Sequence, residues 1–176
     1  MSGHNKWSKI KHKKAATDAQ KSKIFGKLAR MIAVESKKAG GDVSAPNLRA
    51  ILDKARAENM PKDNIERAVQ KGNSNETESL ESVVYEVYGP GGAALVVDAL
   101  TDNRNRTAAE IKHLLSKNGF ELATPGSAAW AFSKSHEGYA PTSMVSVSDA
   151  DGEKLSALIE IIEDHDDVQD VYTNAE

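Results

Sequence analysis

The chain has 176 residues, a formal net charge of −3 and no cysteine. This length allows one large domain or two small ones, and the lack of cysteine excludes disulfides, a zinc ribbon and a thiol nucleophile. No apolar run approaches the roughly eighteen residues of a membrane span, and no continuous apolar segment follows the basic N-terminus, as a secretory signal would require. The composition therefore predicts a globular protein of the cytoplasm without a membrane partner.

The charge is segregated along the chain. Residues 1–72 contain 17 Lys/Arg against 7 Asp/Glu, whereas residues 73–176 contain 6 against 19. Soluble surfaces usually mix both signs, so this asymmetry favours a nucleic-acid-binding half joined to an acidic half with another role. A mitochondrial presequence is the competing explanation. It fits badly, because Arg is nearly absent from the first thirty residues and five of their nine cations lie between Lys6 and Lys14.

The first half is predicted to be helical after a basic arm. Residues 1–21 carry few apolar groups and are expected to order mainly on binding. From Ser22 an i, i+4 apolar pattern begins, and it ends at the glycine pair 40–41. Two further helices are expected near Pro46 and near Pro61, the latter ending at Gly72. Together these helices predict a domain over 22–72.

The second half changes to strand periodicity after a polar linker at 73–80. The turn "GPGG" predicts a β-hairpin, and helices are expected in "TDNRNRTAAEIKHLLSKNG" and "DGEKLSALIEIIEDHDD". The predicted strands are 82–88, 93–100, 127–133, 142–148 and 168–173. The resulting order over 81–176 is β-β-α-β-β-α-β, which is similar to a ferredoxin-like α+β sandwich with an open sheet and its helices on one face.

No catalytic or cofactor motif stands out. The five histidines form no H-x-x-x-H pair, and "GPGG" lacks the spacing of a phosphate-binding loop. The acids Glu163, Asp164, Asp166 and Asp167 lack the glycine-centred spacing of an EF-hand, so a solvated acidic surface is favoured over a cation site. We therefore expect a non-enzyme with no metal, no cofactor and no small-molecule substrate.

The arm has the composition of a nucleic-acid contact. "NKWSKIKHKK" interleaves cations with Trp7, Ile10 and His12, a mixture suited to phosphate contact and base stacking. A solvated lysine tail is the alternative, although Lys23, Lys27 and Arg30 continue the charge along one helix face.

A second basic spot lies at Arg104 and Arg106. Both precede a predicted helix, whose free N–H groups could also meet phosphate. Helix capping by Asp102 or Asn103 is the other interpretation, and both can hold together.

The opening "MSGHNKWSKIKHKKAATDAQKSKIFGKLAR" closely resembles the N-terminal signature of the YebC/PmpR family, which includes the mitochondrial translational activator of cytochrome oxidase. "NLRAILDKARAENMPKDNIERAVQKG", "YEVYGPGG", "LTDNRNRTAAEIKHLLSKNG", "GSAAWAFS" and "EDHDDVQDVYTN" also match, so the resemblance covers nearly the whole chain. It implies a non-enzymatic regulator that binds nucleic acid. Some members are DNA-binding transcriptional regulators, and others are ribosome-associated translation factors. The family signature maps onto Lys6, Trp7, Lys9, Lys11, His12, Lys13, Lys14, Lys21 and Lys23.

The chain departs from the family pattern at one place. Typical members carry an additional α/β domain between the segments that match "AAWAFS" and "TSMVSVS". Here only "KSHEGYAP" at 134–141 spans that gap, and eight residues cannot form a domain. The resemblance therefore implies a short form that lacks the inserted domain.

The sequence leaves two interpretations of the binding target, RNA or DNA, and a third interpretation in which the protein does not act through nucleic acid. The sequence shows no clear helix-turn-helix, zipper or zinc finger, and a lysine-rich arm with one Trp suits RNA better than duplex readout. A monomeric factor that binds ribosomal RNA is therefore favoured over a DNA-binding transcriptional regulator. A protein-docking module with an incidental arm is the third class.

Overall fold

The computed structural model describes residues 17–74 and 80–176. These residues form two compact units, of which one ends at Leu80 and the other begins at Glu81. The basic arm up to residue 16 and most of the predicted linker lie outside the described residues.

The first unit consists of three helices, α1 (Asp18–Lys38), α2 (Pro46–Ala57) and α3 (Lys62–Asn73). Helix α1 begins at Asp18 rather than near Ser22. The reason is a capping box, in which the Thr17 side chain accepts a hydrogen bond from the backbone N–H of Gln20 at 3.3 Å and the Thr17 N–H donates to the Gln20 side chain at 2.8 Å. This local polar signal precedes the apolar pattern, so apolar periodicity alone places the start too late.

The core of the first unit is built from the apolar stripes of all three helices. Its buried members are Leu28, Ile32, Leu48, Leu52, Ala55, Met60, Ile65 and Ala68. Helices α1 and α3 approach so closely at Gly72 that a Cβ there would lie 2.3 Å from the carbonyl oxygen of Ala33. The Ser36 hydroxyl, which is fully buried, donates to the Val69 carbonyl across the same contact at 2.8 Å. This contact holds α1 and α3 side by side.

The second unit confirms the predicted α+β class and element order. Its elements are β1 (Glu81–Tyr88), β2 (Ala94–Thr101), α4 (Arg104–Lys117), β3 (Phe132–Ser135), β4 (Gly138–Pro141), α5 (Asp149–Glu163) and β5 (Val168–Thr173). Strands β1, β2 and β5 form an antiparallel sheet in that order, and β3 and β4 form a separate antiparallel pair. The "GPGG" turn joins β1 to β2, with Gly91 and Gly92 at φ of 71° and 77°, in the left-handed region that glycine favours.

The predicted strands at 127–133 and 142–148 were wrong. The prediction of a single open sheet was also wrong. Within 127–133 the chain forms a 3₁₀ turn at Ala129–Ala131, and β3 begins only at Phe132. The backbone N–H groups of this segment are held by the Glu86 carboxylate and do not pair with a strand. In 142–148 the structure shows one isolated bridge, Val145 to Ala175. Val145 and Val147 pack against the core, and their backbones make only a short set of hydrogen bonds with Asn174 and Glu176, too short to form a strand of the sheet.

The three-stranded sheet is covered on both faces. On one face Val87, Leu95 and Val97 pack with the apolar sides of α4 and α5, so both helices lie on one face as predicted. On the other face Ala94 and Val96 pack against the segment around Phe132. The predicted inward stripe of α5, Leu155, Leu158, Ile159 and Ile162, is buried in full. No helix in the described part of the chain is long and apolar enough to cross a membrane.

Candidate nucleic-acid interface

A groove of about 560 Å³ lies between α1 and α3 in the first unit. Apolar atoms of Phe25, Gly26, Ala29, Ala33 and Ala68 contribute to its surface. Polar and charged residues also line it, namely Arg30, Asn64, Arg67 and Lys71. The groove is an open surface feature that combines apolar atoms with polar groups.

Helical spacing explains why these residues line one groove. On α1 the positions 26, 29, 30 and 33 recur every three or four residues, as do 64, 67, 68 and 71 on α3. Each set therefore lies on one face of its helix, and the close contact at Gly72 brings the two faces together. Small side chains at Gly26, Ala29 and Ala33 leave the groove open.

The groove is electrostatically one-sided. Every charged residue that lines it within the described chain is a cation: Arg30, Arg67 or Lys71. Three acids of the same unit form ion pairs with cations outside the groove, in Lys38–Glu35 at 2.6 Å, Arg56–Asp53 at 2.8 Å and Lys62–Glu66 at 3.6 Å. A groove with cationic walls and an apolar surface can hold phosphate and the face of a base at once.

The orientation of the groove cation Arg67 is fixed by two hydrogen bonds. Its Nε donates to the Asp63 carbonyl at 3.2 Å, and its Nη2 donates to the side-chain oxygen of Asn64. Both partners lie on α3 itself, so the side chain is fixed against its own helix. Fixing the guanidinium in advance reduces the conformational entropy that binding would cost.

The sequence-predicted site residues of the first half fall into two groups. Lys6, Trp7, Lys9, Lys11, His12, Lys13 and Lys14 lie outside the described residues, and their roles stay predictions. Lys21, Lys23, Lys27 and Arg30 are all on α1, and Arg30 lines the groove. Arg67 and Lys71 were missed, although their i, i+4 spacing on the third predicted helix was a signal that could have found them.

Arg104 and Arg106 lie in the first turn of α4, in the second unit. The Asn103 side chain caps this helix by accepting from the Arg106 N–H at 3.0 Å, so the capping interpretation holds. Arg104 lies 3.5 Å from Glu81. Their predicted contact with nucleic acid stays a prediction.

The Arg106 guanidinium is surrounded by carboxylates. Its nearest oxygens belong to Asp167 at 2.9 Å, Asp102 at 3.0 Å and Glu110 at 3.9 Å. A phosphate at Arg106 would have to compete with these three acids.

Asp167 corrects the interpretation of the acids near residue 165 as a solvated surface. It is only 5 % exposed and accepts hydrogen bonds from the Thr107 hydroxyl at 2.8 Å and from Arg106. Burial alone raises the pKa of this carboxyl, but these hydrogen bonds and the charges of Arg106 and His165 outweigh burial. The pKa of Asp167 is therefore lowered from its ordinary 3.8.

Glu110, His165 and Asp167 each place one possible metal-ligand atom within 4.8 Å of the others. The His165 ring is used internally, since Nε2 lies 2.8 Å from Glu110 and Nδ1 accepts from the Asp167 N–H at 3.1 Å. The Arg106 guanidinium already serves as the cation at this cluster. Absence of a bound metal stays a prediction.

Comparison with known proteins places this architecture in one family. The family model described as the TACO1/YebC protein N-terminal domain matches residues 5–75, and that of the TACO1/YebC second and third domain matches residues 80–137 and 134–175. The chain therefore belongs to the TACO1/YebC family.

The relatives are similar along most of their length. A protein from Fervidobacterium nodosum is 41% identical over 99% of this chain and 93% of its own, and one from Thermotoga maritima is 48% identical over 97% and 67%. Both are named probable transcriptional regulatory protein. The crystal structure of a conserved hypothetical protein from Aquifex aeolicus superposes with a TM-score of 0.81 at 31% identity, covering 98% of this chain and 97% of that one.

The break in the second family match falls where the sequence analysis placed the missing domain. The two matched segments meet at residues 134–137, and the alignment with the Fervidobacterium protein spans 235 positions although this chain has 176 residues. In the structure this point is the tight turn between β3 and β4, at His136 and Glu137. The relative therefore has residues without a counterpart in this chain.

Proposed function

We propose that this chain is an RNA-binding regulator of gene expression that acts in translation, in association with the ribosome. The observation that supports it most directly is the groove between α1 and α3, whose charged lining residues are Arg30, Arg67 and Lys71. The relatives' names support a regulatory role in the broad sense. With this function we expect a non-enzymatic monomer of the cytoplasm.

The form of the groove favours RNA over duplex DNA. Single-stranded and looped RNA offers unstacked bases, which bind to apolar and aromatic surfaces while cations contact the phosphates. The groove provides both, with Phe25 and the small side chains of α1 between the cations. A DNA duplex keeps its bases stacked inside and is read by an element that enters a groove of the duplex.

The alternative is a DNA-binding transcriptional regulator, and one observation favours it. Residues 58–61 join α2 to α3, a length typical of a helix-turn-helix unit, and Asn59 adopts a left-handed conformation there with φ of 61°. Against this alternative, the acids Asp63 and Glu66 offset two of the three cations of α3. As a recognition helix in the major groove of DNA, α3 would therefore have little net attraction for the bordering phosphates.

Fluorescence anisotropy with three labelled probes of one base sequence tests the proposal: a single-stranded RNA, an RNA hairpin and a DNA duplex. We expect the full chain to bind either RNA more tightly than the DNA duplex at every salt concentration. Tighter binding to the duplex would favour the DNA alternative.

Variants locate the binding surface. Arg30→Ala, Arg67→Ala and Lys71→Ala should each weaken RNA binding and make the log–log salt slope shallower by about 0.7 for each lost phosphate contact. Arg49→Ala is the matched control, because Arg49 is an exposed cation of the same unit outside the groove. Gly26→Leu should place a bulky side chain in the groove and block it. The helical unit should stay folded, since a Cβ at Gly26 meets nothing within 4 Å. Equal losses in all variants, control included, would argue against a defined site.

A further inference from the structure

Two aromatic side chains are exposed beside each other on the second unit. Trp130 is 63% exposed and Tyr88 is 42% exposed. The indole N–H of Trp130 donates to the Tyr88 hydroxyl at 3.3 Å, and that hydroxyl donates to the Ser127 carbonyl. The polar groups of both rings therefore have hydrogen-bond partners in the pair itself and in the Ser127 backbone, and the pair presents aromatic surface to the solvent. We call it the Trp130–Tyr88 platform.

The loop under this platform is fixed by a buried carboxylate. Glu86 is 7% exposed and accepts three backbone hydrogen bonds, from Gly126 at 2.6 Å, Ala128 at 3.0 Å and Ala129 at 2.6 Å. Burial raises the pKa of Glu86, but the three N–H donors outweigh burial and the pKa is lowered from 4.5. The carboxylate thus stays charged and holds the residues that precede Trp130. An exposed ring on so firmly held a loop is pre-organised for a ligand.

The charge around the platform differs from that of the rest of the second half. Residues 73–176 hold 19 acids, whereas the stretch 122–136 holds none and contains Lys134 and His136, the latter 3.9 Å from Glu137. The charged Glu86 carboxylate lies beneath this stretch but is buried, so a polyanion at the surface would be repelled less here than by the acids elsewhere in this half. The distribution therefore favours an anionic ligand here over a basic one.

We propose that the Trp130–Tyr88 platform stacks an unpaired nucleobase of a single-stranded RNA. The inference extends the proposed RNA-binding function to a second site, in the other unit. Since the polar groups of the rings are already used, binding would rest on stacking alone and tolerate any base.

The intrinsic fluorescence of Trp130 tests this directly. The chain has two tryptophans, Trp7 and Trp130, so Trp7→Phe leaves the platform as the sole indole. In this background, saturation with a twelve-nucleotide oligouridine should quench the emission, whereas an abasic oligonucleotide of the same length should not. Trp130→Ala should weaken oligouridine binding about 5- to 140-fold without changing the salt slope, as loss of one stacked base predicts. Trp130→Phe should recover most of that loss, because a ring is restored.

The outcomes separate this inference from the proposed function. If Trp130→Ala binds oligouridine as tightly as the unsubstituted chain while Arg67→Ala is weakened, the platform is not a base site and the groove remains the RNA site. If neither variant is weakened because the chain itself does not bind RNA, both proposals fail. Quenching by a decaproline peptide with none by oligouridine would also overturn the inference and assign the platform to a protein ligand.

Discussion

Gly72 on α3 lies against the backbone of α1 so closely that a Cβ there would be 2.3 Å from the Ala33 carbonyl oxygen and 2.7 Å from the Ser36 Cβ. Gly72→Ala should therefore force the two helices apart. We expect a loss of about 1–3 kcal/mol in the free energy of unfolding, measured by urea denaturation, because backbone atoms cannot rotate away as a side chain could. RNA binding in the groove should weaken with it.

Gly26→Ala is the matched control for that substitution. Gly26 is exposed within α1, and a Cβ there meets nothing within 4 Å. Replacing a helical glycine by alanine should stabilise the protein by about 0.5–1 kcal/mol. A lower free energy of unfolding for Gly72→Ala and a higher one for Gly26→Ala would confirm the helix contact. No decrease for either variant would contradict it.

Asp167 should make stability depend on pH in the acid range. Its folded pKa lies below the ordinary 3.8, so its charge stabilises the fold fully above about pH 5, and this contribution is lost as the pH falls through the folded pKa. Asp167→Asn should cost about 1–2 kcal/mol at pH 7, since a charged hydrogen-bond acceptor becomes neutral. The urea midpoints of the two proteins should converge as the pH falls through the folded pKa of Asp167.

Asp102→Asn provides the control for this prediction. Asp102 also contacts the Arg106 guanidinium, at 3.0 Å, but it is 48% exposed where Asp167 is buried. Exposed ion pairs contribute little, so Asp102→Asn should leave the midpoint nearly unchanged at every pH. The difference in urea midpoint between Asp167→Asn and the unsubstituted chain should shrink in acid. If it stayed unchanged down to pH 2, titration of Asp167 would not be its cause.

Glu86→Ala should release the loop that carries Trp130. The change leaves three backbone N–H groups without their acceptor, which should lower the free energy of unfolding by about 1–3 kcal/mol. Amide hydrogen exchange should accelerate at Gly126, Ala128 and Ala129. The neighbouring exposed acid Glu121 serves as control, and equal exchange at these amides in Glu86→Ala and Glu121→Ala would refute the anchoring role.

The contrast between α5 and the segment before β3 shows what the sequence could predict. The stripe from Leu155 to Ile162 follows from helical periodicity, and β5 lies at the predicted residues 168–173. Residues 127–133 have an equally apolar run, but their backbone is held by Glu86, about forty positions earlier in the chain. Such a long-range hydrogen bond leaves no mark in a local pattern.

The candidate site shows the same division. Arg30 was predicted from charge spacing on one helix, whereas the groove needs α3 packed beside α1. That packing depends on Gly72, which by itself reads only as a helix end. Asp167 was misjudged for the converse reason: a run of acids in sequence does not reveal which of them is buried.

The basic arm leads to a quantitative prediction. Deleting residues 1–14 removes Lys6, Lys9, Lys11, Lys13 and Lys14. If all five contact phosphates, the salt slope for single-stranded RNA should become shallower by about 3.5. The helical unit should remain folded by circular dichroism, because its capping box starts at Thr17. An unchanged affinity and slope would make the arm a solvated tail.

Co-sedimentation with ribosomes, measured across salt concentrations, tests the central claim most directly. The full chain should pellet with ribosomes at low salt and be released by high salt or by nuclease. The combined variant Arg30→Ala, Arg67→Ala and Lys71→Ala should be released at lower salt than the full chain, and Arg49→Ala should behave as the full chain does. Two results would contradict the account. One is that the full chain stays in the supernatant at low salt, and the other is that the triple variant pellets as well as the full chain at every salt concentration.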